Sequence, residues 1–399
     1  MKLDLPVDSA TEIVLQKLID SGLNPLIVGG AVRDAIRGEK PKDFDIEVHG
    51  AKNFEQLRSA FKALGPLNLT GRDFGVMKLR VRLANGKLSE EIDLALPRRD
   101  SKTGEGHRGF SVEVDPTMSL REATARRDLT VNALVWDSQT KLVIDLHGGL
   151  KDLEDGVLRH VSEAFSEDPL RVLRVARFAA KLGFTVAPET LNLCKNLQSS
   201  FAELAVERVV GELSRMLTET SVKNAVDFLK ESGWGSLVGI PEDSFELVGQ
   251  KLQESIENRD KPSYILQMAI IASILPTTAD IRGVLKSFAI SKADLKKALT
   301  IAEAPTVQGL TKAEARQWAW DNQNIAAADK ITVESVVTSA DLNATRLFFE
   351  ELNVLTQPEK DEFDADALIA AHKSANPGLK NGPWIREVLR NARSEQYAR

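Results

Sequence analysis

The 399-residue chain holds one cysteine, two tyrosines and five histidines, and these shortages narrow what it can be. Cys194 has no partner for an intrachain disulfide, and no Cys or His lies near it at the spacing of a zinc site. It reads as a buried thiol. The histidines, His49, His107, His147, His160 and His372, read as surface or loop residues. Long apolar runs are missing too. No segment approaches the length of a membrane span, and the opening MKLDLPVDSATEIV lacks the apolar core of a signal peptide, so a cytoplasmic location is expected. Positive charge is not in excess: the formal net charge of −6 excludes a uniformly basic coat and leaves only local patches for meeting phosphates.

The hydrophobic content, 43%, is ordinary for a globular protein, and the length exceeds what one core usually serves. Residues 11–22 have helical periodicity. LNPLIV then runs as a strand into Gly29-Gly30, a helix follows over AVRDAIRG, and FDIEV reads as the next strand. VMKLRVRL and EIDLAL alternate apolar and polar residues as half-buried strands do, and TVNALVW and KLVIDL continue the series. Residues 1–146 therefore predict a mixed α/β domain. From there the pattern becomes helical, with SEDPLRVLRVARFAAKLGF amphipathic at a 3.6-residue period. Prolines punctuate an all-α remainder. The expected organisation is α+β: a head over 1–146, a helical neck over 147–220, and a helical body and tail over 221–399.

The chemistry concentrates in Asp43-Phe44-Asp45. On a strand, side chains two apart share a face, so both carboxylates point into one site while Phe44 points into the core. Such a pair suits two divalent ions roughly 3.5–4 Å apart, the arrangement that nucleotidyl transfer requires, and oxygen ligands suit magnesium. Upstream, Gly29-Gly30 forms a strand-to-helix turn whose bare backbone lets N–H groups approach a triphosphate, with Arg33 on the first turn of the helix. Asp93 in EIDLAL would sit on a neighbouring strand, turned away from Ile92, Leu94 and Leu96, as an additional ligand or as a solvated acid.

These residues resemble the class II tRNA nucleotidyltransferases and bacterial poly(A) polymerases of the polymerase-beta-like superfamily. The resemblance is carried by LIVGGAVRDAIRGEKPKDFDIEV, ATARRDLTVNAL, DLHGGLKDLEDG and SEDPLRVLRVARF. It weakens at AVERVVGELSRML, and beyond residue 217 only helical character remains. It implies that Gly30 and Arg33 contact nucleotide phosphates, that Asp43 and Asp45 hold magnesium, and that Arg127 and Asp128 touch the nucleotide, with Asp128 near the ribose. The residue types agree: Arg126 and Arg127 supply cations for a triphosphate, and a carboxylate accepts from ribose hydroxyls.

Asp168 and Arg171, three residues apart on the predicted helix SEDPLRVLRVARF, form an acceptor and donor that can match the amino group and ring nitrogen of cytosine or adenine. Guanine and uracil leave those groups unmatched. In the family this pair resembles the protein template for incoming CTP and ATP, and Arg174 resembles a further nucleotide-binding position. The segment PRRDSKTGEGHRGFSVEVDPTMSLREA resembles the loop used in switching from C to A, or is simply a solvated connection.

The resemblance implies addition of C, C and A to the 3′ end of tRNA. Poly(A) synthesis, A-adding or CC-adding specialists, and a catalytically silent RNA-binding protein are the alternatives. Some relatives carry a histidine-aspartate phosphohydrolase domain after the neck. Residues 161–371 contain no histidine, so no such phosphatase activity is expected. The tRNA is expected on the helical second half, where Lys373, Lys380, Arg386, Arg390 and Arg393 could meet backbone phosphates. Trp318, Trp320 and Trp384 read as packing residues.

Overall fold

The computed structural model describes residues 1–62, 64–68, 76–102, 110–257, 263–289, 291–358, 360–361, 363–377 and 382–397. Two compact units divide the chain. The first comprises Met1–Glu212 with Asn224–Leu237, and the second Leu213–Lys223 with Val238–Arg399.

The first unit opens with helix α1 (Ser9–Asp20), whose first turn is capped by the Asp8 carboxylate accepting from Thr11 N–H at 2.9 Å. Strand β1 (Asn24–Val28) leads to α2 (Gly30–Ile36), β2 (Asp45–His49), α3 (Phe54–Phe61) and β3 (Leu67–Asn68). Next come β4 (Val76–Arg82), β5 (Leu88–Ala95), the pair β6 (Arg98–Lys102) and β7 (Phe110–Val114), then α4 (Leu120–Ala125), β8 (Val135–Asp137) and β9 (Leu142–Ile144). The mixed sheet runs in the order β3-β4-β5-β2-β1-β8-β9. Strand β1 is antiparallel to β2 and β8, whereas β2 and β5 are parallel.

Alternation explains which face is buried. Ile46 and Val48 of β2 and Met77, Leu79 and Val81 of β4 are at most 1% exposed. Each such side chain contributes about 2 kcal/mol from water exclusion. The intervening residues of β2 form the other face, and that is where the chemistry collects.

Three local expectations change. Thr130–Asn132 of TVNALVW is a 3-10 turn, and the strand begins only at Val135. The buried Asn132 side chain donates to Asp128 at 3.0 Å, so this stretch turns to satisfy a polar group instead of pairing. The segment after Asp93, expected as a loop or a connection, contains two strand arms, with Arg98 paired to Val114 and Lys102 to Phe110; residues 103–109, including His107, lie outside the described residues. Finally, α6 covers only Leu170–Leu182 after α5 (Gly149–Asp155) and β10 (Val157–Leu158), so Asp168 precedes the helix. Pro169 forces the residue before it out of helical geometry, and Asp168 is extended at φ −125°, ψ 96°. Strand β11 (Thr185–Val186), α7 (Pro188–Asn196) and α8 (Val206–Met216) follow.

Among the described residues of the second unit, the regular elements are all helices. Its helix Tyr264–Ile274 buries Met268, Ala269, Ile270 and Ile271 completely, as a central helix apolar on all sides should. Among the basic residues expected to meet RNA, Arg393 is 3% exposed, ion-paired to Asp361 at 2.8 Å and stacked on the Trp320 ring, so it serves packing. Arg390 pairs with Asp321 at 3.2 Å. Lys380 lies outside the described residues. Trp318 is a core residue donating to the Pro305 carbonyl, whereas Trp384 stacks on His372. No helix among the described residues is long and apolar enough to cross a membrane.

Candidate active site

Asp43, Phe44 and Asp45 alternate as the spacing requires: Phe44 is 8% exposed, and both aspartates are exposed on the opposite side. Asp45 is the first residue of β2 and is flanked in register by Val28 at the end of β1 and by Asp93 of β5. Although Asp45 reaches solvent at its edge, crowding desolvates its carboxyl and raises its pKa; Arg127 pulls the other way, and Asp93 and Asp43 push it further up. Asp93 itself receives Lys78 Nζ at 3.0 Å.

The turn behind this pair is built on Gly29, at φ 81°, whose N–H donates to the Leu134 carbonyl at 2.9 Å. The positive φ favours glycine, and a methyl group there would lie 2.8 Å from a guanidinium nitrogen of Arg127, which would have to move aside. Arg127 thus lies across the glycine turn, and it also donates to the Asn132 carbonyl at 3.3 Å. Arg33, expected to contact the phosphates, lies behind the glycine turn. It is 2% exposed, bonds Asp34 at 2.7 Å and the Asn132 side chain, and covers the Phe178 ring, with one guanidinium nitrogen against Gly30.

Asp128 is 7% exposed and accepts from the Leu129 N–H, from Asn132 and from Arg174, whose Nε lies at 2.8 Å. Burial alone would raise its pKa, but Arg174 and these hydrogen bonds outweigh it and hold the carboxyl below its usual range. Arg174 reaches on to Glu212 at 3.8 Å, and Arg177 bonds the same carboxylate at 2.6 Å. The DLHGG segment supports this turn from below. Asp145 caps the N–H groups of His147, Gly149 and Leu150, and a Cβ on Gly149 would collide with the Thr130 carbonyl. Asp152 then holds the Thr130 hydroxyl at 2.7 Å.

Asp168 and Arg171 do not pair with one another as an i, i+3 bridge. Arg171 donates to the carbonyls of Ala164 at 2.6 Å and Arg126 at 2.7 Å, and burial lowers its pKa against the pull of Asp128, Asp168 and Glu167. Asp168 instead takes Arg208 of α8 at 2.8 Å. Arg208 lies in AVERVVGELSRML, where sequence signals fade, and only the folded chain brings it to Asp168.

A second residue missed by sequence reasoning is Glu47, which shares the Asp45 face of β2 and is 1% exposed. It lies 2.8 Å from His49 Nε2 and 3.9 Å from Arg126. Burial works against its charge, yet the His49 hydrogen bond and the charges of Arg127, His49 and Arg126 lower its pKa overall. Its signal was the uninterrupted alternation Asp43, Asp45, Glu47, His49 on one face.

No group of three or more His, Cys, Asp or Glu side chains that could hold a metal occurs among the described residues. The donor chemistry nonetheless fits magnesium, which commonly takes one or two protein carboxylates and completes its shell from water and substrate phosphates. Asp43 and Asp45 supply hard oxygens, and the like charges around Asp45 are those a cation relieves. Asp93 is engaged by Lys78.

Residues 26–159 match the family model described as "Poly A polymerase head domain", and residues 183–234 match "Probable RNA and SrmB- binding site of polymerase A". The chain is 45% identical over 199 residues to the "Multifunctional CCA protein" of Xylella fastidiosa strain 9a5c, covering 49% of this chain and 44% of that relative. It is 44% identical over 211 residues to the protein of the same name from Pseudomonas fluorescens Pf-5, covering 52% and 48%. The matched stretch thus spans about half the length of these curated relatives. Similar solved structures include a Bacillus stearothermophilus CCA-adding enzyme in complex with CTP, with TM-score 0.72, 22% identity, and coverage of 97% of this chain and 93% of that one. The Thermotoga maritima CCA-adding enzyme complexed with tRNA superposes with TM-score 0.65 at 19% identity, covering 98% and 92%. At these identities the two structures establish a shared fold.

Proposed function

We propose, for a chain whose residues 26–159 match the poly A polymerase head domain, that it is a nucleotidyltransferase that adds C, C and A to the 3′ end of tRNA from CTP and ATP. The observation that carries this reading is the placement of Asp45, in register with Asp93 and with Val28, the residue that leads into the glycine turn over which Arg127 lies. The tRNA 3′ oxygen attacks the α-phosphorus of the nucleotide and pyrophosphate departs. Asp43 and Asp45 would hold two magnesium ions, which when bound activate the hydroxyl and neutralise the leaving pyrophosphate.

The chain's own residues do the rest. The bare backbone of Gly29 and Gly30 lets the triphosphate approach, and Arg127 stands beside it as a cation. Arg33, behind Gly30, fixes the turn through Asp34 and Asn132. Asp128 meets the ribose while Arg174 holds its carboxylate. Asp168 accepts the amino group of C or A, and Arg171 and Arg208 are the donors beside it; G and U would strand those groups without partners. Base choice is then made by protein side chains, with no nucleic-acid template. The helical second unit holds the tRNA, and the reaction belongs to the cytoplasm.

Poly(A) synthesis is the second reading, favoured by the description of the family model. Labelled CTP or ATP with magnesium, supplied to tRNA lacking CCA, to tRNA ending in CC and to unstructured RNA, tests both. Ordered addition of C, C and A that then stops supports the proposal. Long adenylate tails on unstructured RNA would replace it with the second reading, and no incorporation would favour a silent RNA-binding protein.

A further inference from the structure

Glu47 is a buried carboxylate in the middle of a sheet, and the nucleotidyl-transfer reading above does not use it. Its register neighbours are Leu26 on β1 and Ala95 on β5, a setting in which an apolar side chain would be buried at no electrostatic cost. A carboxylate that is 1% exposed has to be compensated, and its compensation is specific: His49 at 2.8 Å on one side and Arg126 at 3.9 Å on the other.

We infer that Glu47, braced by His49, is a positioning residue that sets the Arg126-Arg127 pair against the glycine turn where the nucleotide triphosphate binds. Two observations converge on this. Arg127 lies over the glycine turn, with a guanidinium nitrogen 2.8 Å from where a methyl group on Gly29 would stand. Arg126 offers its carbonyl to Arg171 at 2.7 Å, so the arginine pair is held from the α6 side through its backbone and from the β2 side through its charge. The inference rests on the nucleotidyl-transfer reading.

Two effects oppose each other in a Glu47→Gln variant, and their sign separates the explanations. Removing a negative charge near a bound polyanion strengthens its binding by simple electrostatics. Releasing the arginines from their anchor weakens it. Equilibrium binding of CTP with magnesium to the full chain, without RNA, is expected to weaken roughly tenfold in Glu47→Gln, about the loss of one charge-assisted contact. In an Arg126→Gln background the same change is expected to cost less than about twofold, because the anchored partner is already gone. With RNA present, the KM for CTP should rise by the larger factor while kcat falls less than about threefold.

Tighter or unchanged CTP binding in Glu47→Gln, or an equal loss with and without Arg126, would overturn the inference while leaving the functional reading in place. No CTP binding by the unaltered chain would overturn both. If Glu47→Gln fails to fold by circular dichroism, Glu47→Asp carries the same cycle. It keeps the charge but shortens its reach, and a loss of CTP affinity that disappears in the Arg126→Gln background is again expected.

Discussion

Asp45 and Asp93 are Cα partners on two parallel strands, one opening β2 and the other near the end of β5. Asp93 is shared with Lys78 at 3.0 Å, while Asp45 is left with a carboxyl whose pKa is raised by desolvation and by Asp93 and Asp43, against the pull of Arg127. An acid whose folded pKa is raised destabilises the fold as pH climbs above its unfolded value of 3.8. A divalent cation reverses that cost.

Magnesium should therefore stabilise the folded chain through this pair. At ten times its Kd, a ligand that binds only the native state adds about 1.4 kcal/mol, or about 3–5 °C in Tm for a unit of this size. Thermal melts with and without magnesium check this. Asp45→Asn should melt at or above the unaltered chain without the metal and gain no more than about 1 °C with it.

Asp128 predicts the acid limb of stability. Its folded pKa is depressed, so its contribution is complete above the unfolded value of 3.8 and is lost as pH falls through the lower folded value. Asp128→Asn should cost about 2 kcal/mol at neutral pH, at the low end for a broken buried pair because Arg174 remains partly in water. Urea midpoints measured from pH 7 to pH 3 should also show a shallower acid decline in the variant.

Asp168 and Arg208 predict selectivity. Asp168→Ala should lower the preference for CTP and ATP over GTP and UTP by about 10–100-fold, the effect of one lost base-matching contact. Arg208→Gln should change the unfolding free energy by less than about 1 kcal/mol, since the pair is partly exposed, yet shift the KM for both nucleotides. Steady-state rates with each of the four nucleotides check both variants.

Gly29 predicts a local strain. Gly29→Ala places a side chain at φ 81° and drives it into Arg127, so it should lose about 1–2 kcal/mol and bind CTP more weakly. A stable variant with unaltered CTP affinity would show that Arg127 has no part in binding.

The carboxylate pair and the glycine turn were readable in the sequence because both follow from short-range rules, a period of two on a strand and a left-handed turn between strand and helix. The placement of Asp168 on the helix was misread because one residue, Pro169, outweighed the helical periodicity beyond it. The burial of Arg33 depends on Asn132 and Phe178, which stand 99 and 145 residues away in the chain, and no local pattern announces such contacts. Arg208 and Glu47 were missed for related reasons. The partner of Arg208 is 40 residues away, and Glu47 is polar at a position where alternation alone does not distinguish a solvated acid from a buried one.

The most direct test is nucleotide incorporation by Asp45→Ala. Circular dichroism should match the unaltered chain and melting without magnesium should match or exceed it, because Asp45 packs no core and its charge is destabilising there. Addition of labelled CTP and ATP to tRNA lacking CCA should fall by at least about 10³-fold, as expected when a group acting in the transition state is removed. Incorporation within tenfold of the unaltered chain, by a variant shown to be folded, would contradict the assignment of transfer to Asp43 and Asp45.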